Sequence, residues 1–192
     1  DVVTGALSRS DMRIMGPAYM KAGLGDSGAC HPRDNIALRW LSKELELNYD
    51  LFEAIMHARE IQSKNLAEKL VSLAKENDLE IWIHGKAYKP NVPYTHGSCS
   101  LLIEHYVKEM GMSVNFVDPL TDDFHPQIKG VILMAHHAPT TYSNTGLNHL
   151  KTSQRFYADI LPGSIVVDPW RYLSDDDVYG SRLIKYGNTR LA

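Results

Sequence analysis

The chain lacks the marks of several large functional classes. None of its 192 residues fall in a Lys/Arg-rich tract, and the net charge is -3 with a pI near 6.3, so a nucleic-acid partner is not expected. Apolar runs such as Gly130-Val131-Ile132-Leu133-Met134-Ala135 are too short to span a bilayer, so no membrane association is expected. A signal peptide is not expected either: Asp1 opens the chain, and Arg9, Asp11 and Arg13 follow soon after. The chain has only two cysteines, Cys30 and Cys99, and its size does not demand a staple. The expectation is free thiols in a reducing cytoplasm. Metal-ligand spacing is missing as well. There is no H-x-x-x-H or C-x-x-C, and His136 and His137, adjacent at a strand end, point to opposite sides, so no metal is expected. No internal repeat or low-complexity segment is present.

What is present is apolar residue, 44% of the chain, enough for one large domain or two small ones. After a mixed opening with glycine concentrated between Gly23 and Gly28, a helix is expected from Asp34 to about Leu47. Ile36, Leu38, Trp40, Leu41 and Leu45 give it a broad apolar face, Asp34 or Asn35 would cap it, and Pro32 suits its entrance. Asn48-Tyr49-Asp50 punctuates, and a longer helix runs from about Leu51 to Asn77. Beyond Asp78 the texture becomes short apolar strands separated by helices. Strands are expected at 80–84, 113–117, 130–134 and 164–168, with a helix from about Ser98 to Met110. That alternation predicts an α/β fold: a helical region at 1–78, then at 79–192 a Rossmann-like, mostly parallel sheet with helices on both faces.

Gly23-Leu24-Gly25-Asp26-Ser27-Gly28 fits the dinucleotide fingerprint G-x-G-x-x-G letter for letter. That fingerprint works only where a buried strand enters the turn and a helix leaves it. The preceding Gly16-Pro17-Ala18-Tyr19-Met20-Lys21-Ala22 is not a convincing strand, and Pro32 stands where the first helical turn should run. The match is read as a decoy. More informative is Gly28-Ala29-Cys30-His31-Pro32-Arg33-Asp34. A cysteine between a glycine loop and a helix meets the helix dipole, with His31 and Arg33 beside it; both features favour the reactive thiolate. Asp34 is placed to accept a proton or position a water. Local sequence alone fits a small buried thiol with an N-cap aspartate equally well. Cys99, in Gly97-Ser98-Cys99-Ser100, has no obvious partner. Gly85-Lys86-Ala87-Tyr88-Lys89-Pro90-Asn91 follows the first strand of the α/β part, where open parallel sheets bind ligands. Tyr88 beside Lys89 suits a base and a phosphate, although a solvated lysine in a loop would look the same.

The order of these motifs resembles the UDP-glucose/GDP-mannose dehydrogenase family. The resemblance rests on Asp11-Met12-Arg13-Ile14, the glycine loop into Cys30-His31-Pro32-Arg33-Asp34, Gly85 to Asn91, and Asn115-Phe116-Val117-Asp118-Pro119, and it covers nearly the whole chain. It implies oxidation of the C6 alcohol of a nucleotide sugar to a carboxylate, for example UDP-glucose to UDP-glucuronate, by successive hydride transfers to NAD. A cysteine thiohemiacetal and thioester carry the intermediate stages. By resemblance Cys30 is the nucleophile and Asp34 positions or activates water. Arg13 reaches the sugar, in the neighbouring subunit's site, while Tyr19 and Lys21 line the pocket and Tyr88 and Lys89 hold the nucleotide.

The departures matter too. His96 stands where the family arginine reaches NAD, Asp26 replaces an aromatic or aliphatic residue, and Arg171 lies one place late in its motif. Arg171 is therefore carried over weakly as a substrate contact, and His96 as a cofactor contact. The resemblance further implies a homodimer built on the helical region. It also implies an N-terminal NAD-binding domain that is not in this chain, so the chain is expected to be the C-terminal part of the enzyme and inactive alone. A non-catalytic nucleotide-sugar-binding or dimerisation module is the alternative.

Overall fold

The computed structural model describes residues 22–25, 27–136 and 156–187. Arg13, Tyr19, Lys21, Asp26 and His137 lie outside these residues, as does the segment that leads into the glycine loop.

The first described helix, α1, spans Cys30–Glu44. It begins four residues earlier than the apolar pattern indicates, with Ala29 as a cap that offers no side-chain acceptor. Asp34 is consequently inside the helix and does not cap it. Pro32 does not bar this start: in a first turn the backbone N–H has no intrahelical partner anyway, so proline loses nothing there. The objection that Pro32 raises to a helix behind the glycine loop therefore fails. The apolar face of α1 is also largely uncovered. Trp40 is 62% exposed and Leu45 60%, and Ile36 and Leu41 are exposed too.

Helix α2, Leu51–Asn77, forms as the sequence predicts. The Asp50 side chain accepts from the Glu53 N–H at 2.9 Å, and Asp78 closes the helix in a left-handed conformation whose N–H reaches Ala74 O. Twenty-seven residues make a rod about 40 Å long. Its buried apolar side chains, Leu66, Ala67, Leu70, Val71, Leu73 and Ala74, all lie in its second half. The first half meets α1, where Arg39 bridges to Glu53 at 2.6 Å and Asp50 at 3.6 Å.

Five strands form one parallel sheet: β1 (Ile81–His84), β2 (Val114–Val117), β4 (Val131–Met134), β6 (Ile165–Asp168) and β7 (Arg182–Lys185), in the order β2-β1-β4-β6-β7. A separate parallel pair joins β3 (Gln127–Ile128) to β5 (Asp159–Ile160). Strands β4 and β6 are buried at every residue, because the interior of a parallel sheet is covered on both sides. That explains the unbroken apolar runs in the sequence. One face packs against α2 and α3 (Cys99–Glu109) through Leu66, Leu70, Ile103, Val107, Ile83 and Leu133. The other face holds Val117, Ile132, Met134, Val166, Tyr157 and Leu173, together with Val178 from a 3-10 turn at Asp175–Val178. This is the Rossmann-like α/β arrangement the alternation implies. Strand β7 escapes the sequence reading: Arg182-Leu183-Ile184-Lys185 has only two apolar residues and sits at an edge, where fewer are needed. The pair β3–β5 is too short to leave a pattern.

Candidate active site at the carboxyl end of the sheet

From β1 the chain runs outward to β2 on one side, while β4, β6 and β7 build the other. The order therefore reverses between β1 and β4, and the carboxyl ends of these two strands form the crevice where open α/β sheets take ligands. Two buried aspartates shape the loops there. Asp118, ending β2, is 2% exposed and accepts the N–H groups of Lys86 at 2.9 Å, Ala87 at 3.0 Å and Leu120 at 3.2 Å. Asp168, ending β6, is 1% exposed and accepts from Trp170, Arg171, Tyr172 and Leu173 at 2.7–3.1 Å. Each carboxylate offers several lone pairs to a turn that has left its strand, so each Asp-Pro corner fixes the loop beyond it.

A histidine pair lies beneath the crevice. His84 Nε2 accepts the Tyr157 N–H at 2.7 Å, which puts the ring proton on Nδ1, donated to His136 O at 2.8 Å. His136 Nε2 faces Ala87 O at 2.8 Å and therefore carries the proton, leaving Nδ1 to accept from the Tyr157 hydroxyl at 3.1 Å. Both tautomers follow from the partners in the neutral form. Their effect is to tie the ends of β1 and β4 to Tyr157, through its backbone N–H and its hydroxyl. The aspartates and this pair are the residues that sequence reasoning misses. The Asp-Pro pairs at two strand ends were the visible signal; nothing local marks Tyr157.

The glycine loop rests on this platform. Gly28 N–H donates to Gly97 O at 2.9 Å, and the Ser27 hydroxyl accepts weakly from Cys99 N–H at 3.4 Å. Gly28 has φ +98° and sits against the Tyr88 ring, where a Cβ would lie 3.0 Å from ring carbon. Gly97, at φ +71°, faces Gly28 so closely that a Cβ would meet its carbonyl oxygen at 2.3 Å. Only glycine fits such an approach in a left-handed backbone. The structure thus joins two motifs far apart in sequence: the cysteine loop and the loop after β1.

Cys30, exposed at the first residue of α1, leaves this seat beside Arg33 and Asp34. Arg33 Nε donates to Asp34 Oδ1 at 2.8 Å, and this bond, its charge and, more weakly, Cys30 hold the guanidinium pKa above the ordinary arginine value. Asp34 is therefore engaged by Arg33, and both side chains are exposed. Tyr88 is half-buried, edge-on to Tyr94, with the Lys89 ammonium 5.1 Å from its ring centroid. Lys86, the other lysine of this loop, is taken by Asp123 at 2.7 Å. His96 is exposed and stacks on Tyr94 with centroids 5.3 Å apart. Arg171 sits in a left-handed backbone, φ +56°, on the turn that Asp168 holds. Cys99 is buried, its Sγ 3.7 Å from Gly25 O.

A small cavity of about 30 Å³ lies between the loop and Tyr88, and two larger ones flank it. One of about 320 Å³ lies between Ala22–Gly25, the α2 residues Arg59, Gln62, Ser63, Asn65 and Leu66, and a far wall that includes Arg171 and Tyr186. The second, about 540 Å³, runs along α1 to His31 and Asn35. Tyr88 and Lys89 border neither. Among the described residues no cluster of three or more metal-ligating side chains occurs, and no helix is long and apolar enough to cross a membrane.

The central-domain model of the UDP-glucose/GDP-mannose dehydrogenase family matches residues 1–60, the stretch that ends within α2. Over 111 residues the chain is 31% identical to UDP-glucose 6-dehydrogenase TuaD of Bacillus subtilis, covering 57% of this chain. Over these stretches the chain is similar to this family. It is also 28% identical over 113 residues to the UDP-glucose 6-dehydrogenase of Rickettsia bellii. These matches span 24% and 26% of those proteins, so the chain aligns with about a quarter of the curated relatives. The fold agrees with solved structures. A UDP-glucose dehydrogenase from Pyrobaculum islandicum superposes with a TM-score of 0.60 at 20% identity, over 95% of this chain and 42% of that one. A UDP-D-ManNAc dehydrogenase from Pyrococcus horikoshii gives 0.61 at 18%, over 97% and 44%. The likeness to this family agrees with the motif order; the site geometry above stands on its own distances.

Proposed function

We propose that this chain is the C-terminal portion of a nucleotide-sugar dehydrogenase that oxidises a C6 alcohol to a carboxylate, with UDP-glucose as the reference substrate. One observation carries the reading. The loop bearing Cys30 is hydrogen-bonded through Gly28 to the loop before α3 and packed on Tyr88, at the switch point of the sheet. An exposed thiol at a helix N-terminus, seated where the fold takes ligands, suits covalent catalysis. In this reading the Cys30 sulfur would add to the aldehyde carbon to give a thiohemiacetal, a nicotinamide held by other residues would accept its hydride to leave the thioester, and water would then release the carboxylate and the free thiol. Asp34 orients that water once its bond to Arg33 opens. Tyr88 offers a ring face to the nucleotide and Lys89 a charge to its phosphate.

Arg13, Tyr19 and Lys21 keep the sugar and pocket roles that the resemblance implies. The division between a central helical region and a nucleotide-sugar domain is placed near residue 78, although the second half of α2 belongs to the core of the sheet. NAD, the implied hydride acceptor, does not fit the described residues by themselves. Fourteen residues separate β1 from α3, with no glycine-rich turn meeting the helix N-terminus, and His96 is stacked on Tyr94. In this proposal NAD is therefore held chiefly by other residues.

The exposed apolar side chains Ile36, Trp40, Leu41, Leu45, Leu47 and Tyr49 favour a second copy of the chain against α1, which supports a homodimer. The two free thiols fit a reducing cytoplasm. The decisive experiment is Cys30→Ser in the full-length enzyme, with NADH formation measured on UDP-glucose and NAD. A loss of about a hundredfold or more is expected; unchanged NADH formation would sink the nucleophile assignment, and no NADH formation by the wild type would leave a nucleotide-sugar-binding or dimerisation module.

A further inference from the structure

The glycines of Gly23-Leu24-Gly25-Asp26-Ser27-Gly28, which match a dinucleotide fingerprint without its strand, have another physical cause. Each is a point where the chain presses on a different element. A Cβ at Gly28 would lie 3.0 Å from the Tyr88 ring, in the loop after β1. A Cβ at Gly25 would lie 3.1 Å from Gln62 Oε1, the far end of a flexible side chain on α2 that can swing aside. A Cβ at Gly23 would meet the Trp170 indole, 2.6 Å from Cε3 and closer still to Cζ3. The backbone at Gly23 is not left-handed, and the three atoms nearest such a Cβ all belong to Trp170, so the indole itself excludes a side chain there. That ring is anchored on two central strands. Its Nε1–H donates to Met134 O at 2.8 Å, at the end of β4, and the Trp170 backbone N–H donates to buried Asp168 Oδ1 at 2.9 Å, at the end of β6. Beneath the loop, Ser27, Tyr88, Cys99 and Trp170 line the cavity of about 30 Å³, which has room for about two water molecules. The loop is therefore supported there by rings and not by a ligand.

We infer that Trp170 is a positioning residue for Cys30: its indole and the Tyr88 ring clamp the two ends of the glycine loop and so fix where α1, with the thiol at its first residue, begins. Cys30 follows closely on Gly28 and opens the helix, so a shift of the loop carries the sulfur with it. A displacement of about 1 Å at a reacting group costs about a hundredfold in rate, so a side chain acting only through the loop controls turnover. The inference rests on the reading of Cys30 as the nucleophile. It adds Trp170, which no sequence pattern singles out, and gives the glycine motif a role that needs no dinucleotide.

The test is a double-mutant cycle in the full-length enzyme with two readouts. One is kcat and KM for UDP-glucose from NADH formation; the other is the labelling rate of buried Cys99 by an aromatic disulfide. Gly23→Ala should lower kcat by about tenfold or more while KM changes less than about threefold, because a misplaced nucleophile weakens the transition state more than the bound substrate. It should also make Cys99 fast. In a Trp170→Leu background the ring edge is gone, and Gly23→Ala should cost nothing further on either readout. Trp170→Phe keeps a ring with a shorter edge. It should recover part of the kcat that Trp170→Leu loses, and it supplies the second background if Trp170→Leu does not fold. Equal loss from Gly23→Ala in both backgrounds overturns the clamp. Coupling in Cys99 labelling but not in kcat makes the contact structural only and overturns the positioning role. Turnover that survives Cys30→Ser removes the nucleophile reading and this inference with it; failure of the clamp alone leaves Cys30→Ser inactive.

Discussion

Gly97→Ala tests whether the glycine loop is held as the geometry requires. The backbone at Gly97 is left-handed, at φ +71°, where an alanine costs about 1–2 kcal/mol. Its Cβ would also stand 2.3 Å from the Gly28 carbonyl oxygen and 2.4 Å from its carbon. Both are backbone atoms, so the contact is relieved only by lifting the loop, which breaks the 2.9 Å bond from Gly28 N–H to Gly97 O. A net hydrogen bond is worth about 1 kcal/mol. Against this, alanine restricts the unfolded chain and returns about 0.4–1 kcal/mol. The expected sum is a loss of about 2 kcal/mol in the urea midpoint extrapolation. Thiol counting gives a second, local readout. Wild type should show one fast thiol, exposed Cys30, and one slow, buried Cys99, whose Sγ and N–H face the loop at Gly25 and Ser27. Lifting the loop should make both fast. An unchanged urea midpoint together with a slow Cys99 would refute the proposed seating of the loop.

Asp168→Ala should destabilise the chain by about 3 kcal/mol, because four N–H groups of one turn lose their acceptor; urea unfolding measures it. Tyr106, hydrogen-bonded to Glu60, has its pKa pushed up to about 12, so absorbance titration should find at least one tyrosine ionising well above 10. The raised value means that its contribution is full below pH 10 and is lost as pH climbs through 12, and Glu60→Gln should bring the tyrosine back towards 10. Solvent at this half-buried site limits the effect on stability to about 1 kcal/mol. Trp40→Glu with Leu45→Glu should turn a dimer into a monomer in sedimentation without changing helix content; a persistent dimer would move the interface off α1.

Much of this protein is written in short-range pattern. The continuous apolar runs at Val131–Met134 and Ile165–Asp168 declare strands buried on both sides, and Asp50 and Asp78 bracket a long helix by capping chemistry. The cysteine loop and the lysine loop after β1 are legible as motifs, and their order carries the family resemblance. Other features are long-range and leave no local trace. The start of α1 depended on where the glycine loop docks, so the apolar pattern placed it four residues late. Tyr157 serves His84 and His136 across the sheet, and Gly97 is required by Gly28, 69 residues earlier in the chain. Sequence alone determined the main helices and the central strands, because periodicity and capping act within a few residues. Only the tertiary structure decided which loops meet, because that depends on the register of distant strands.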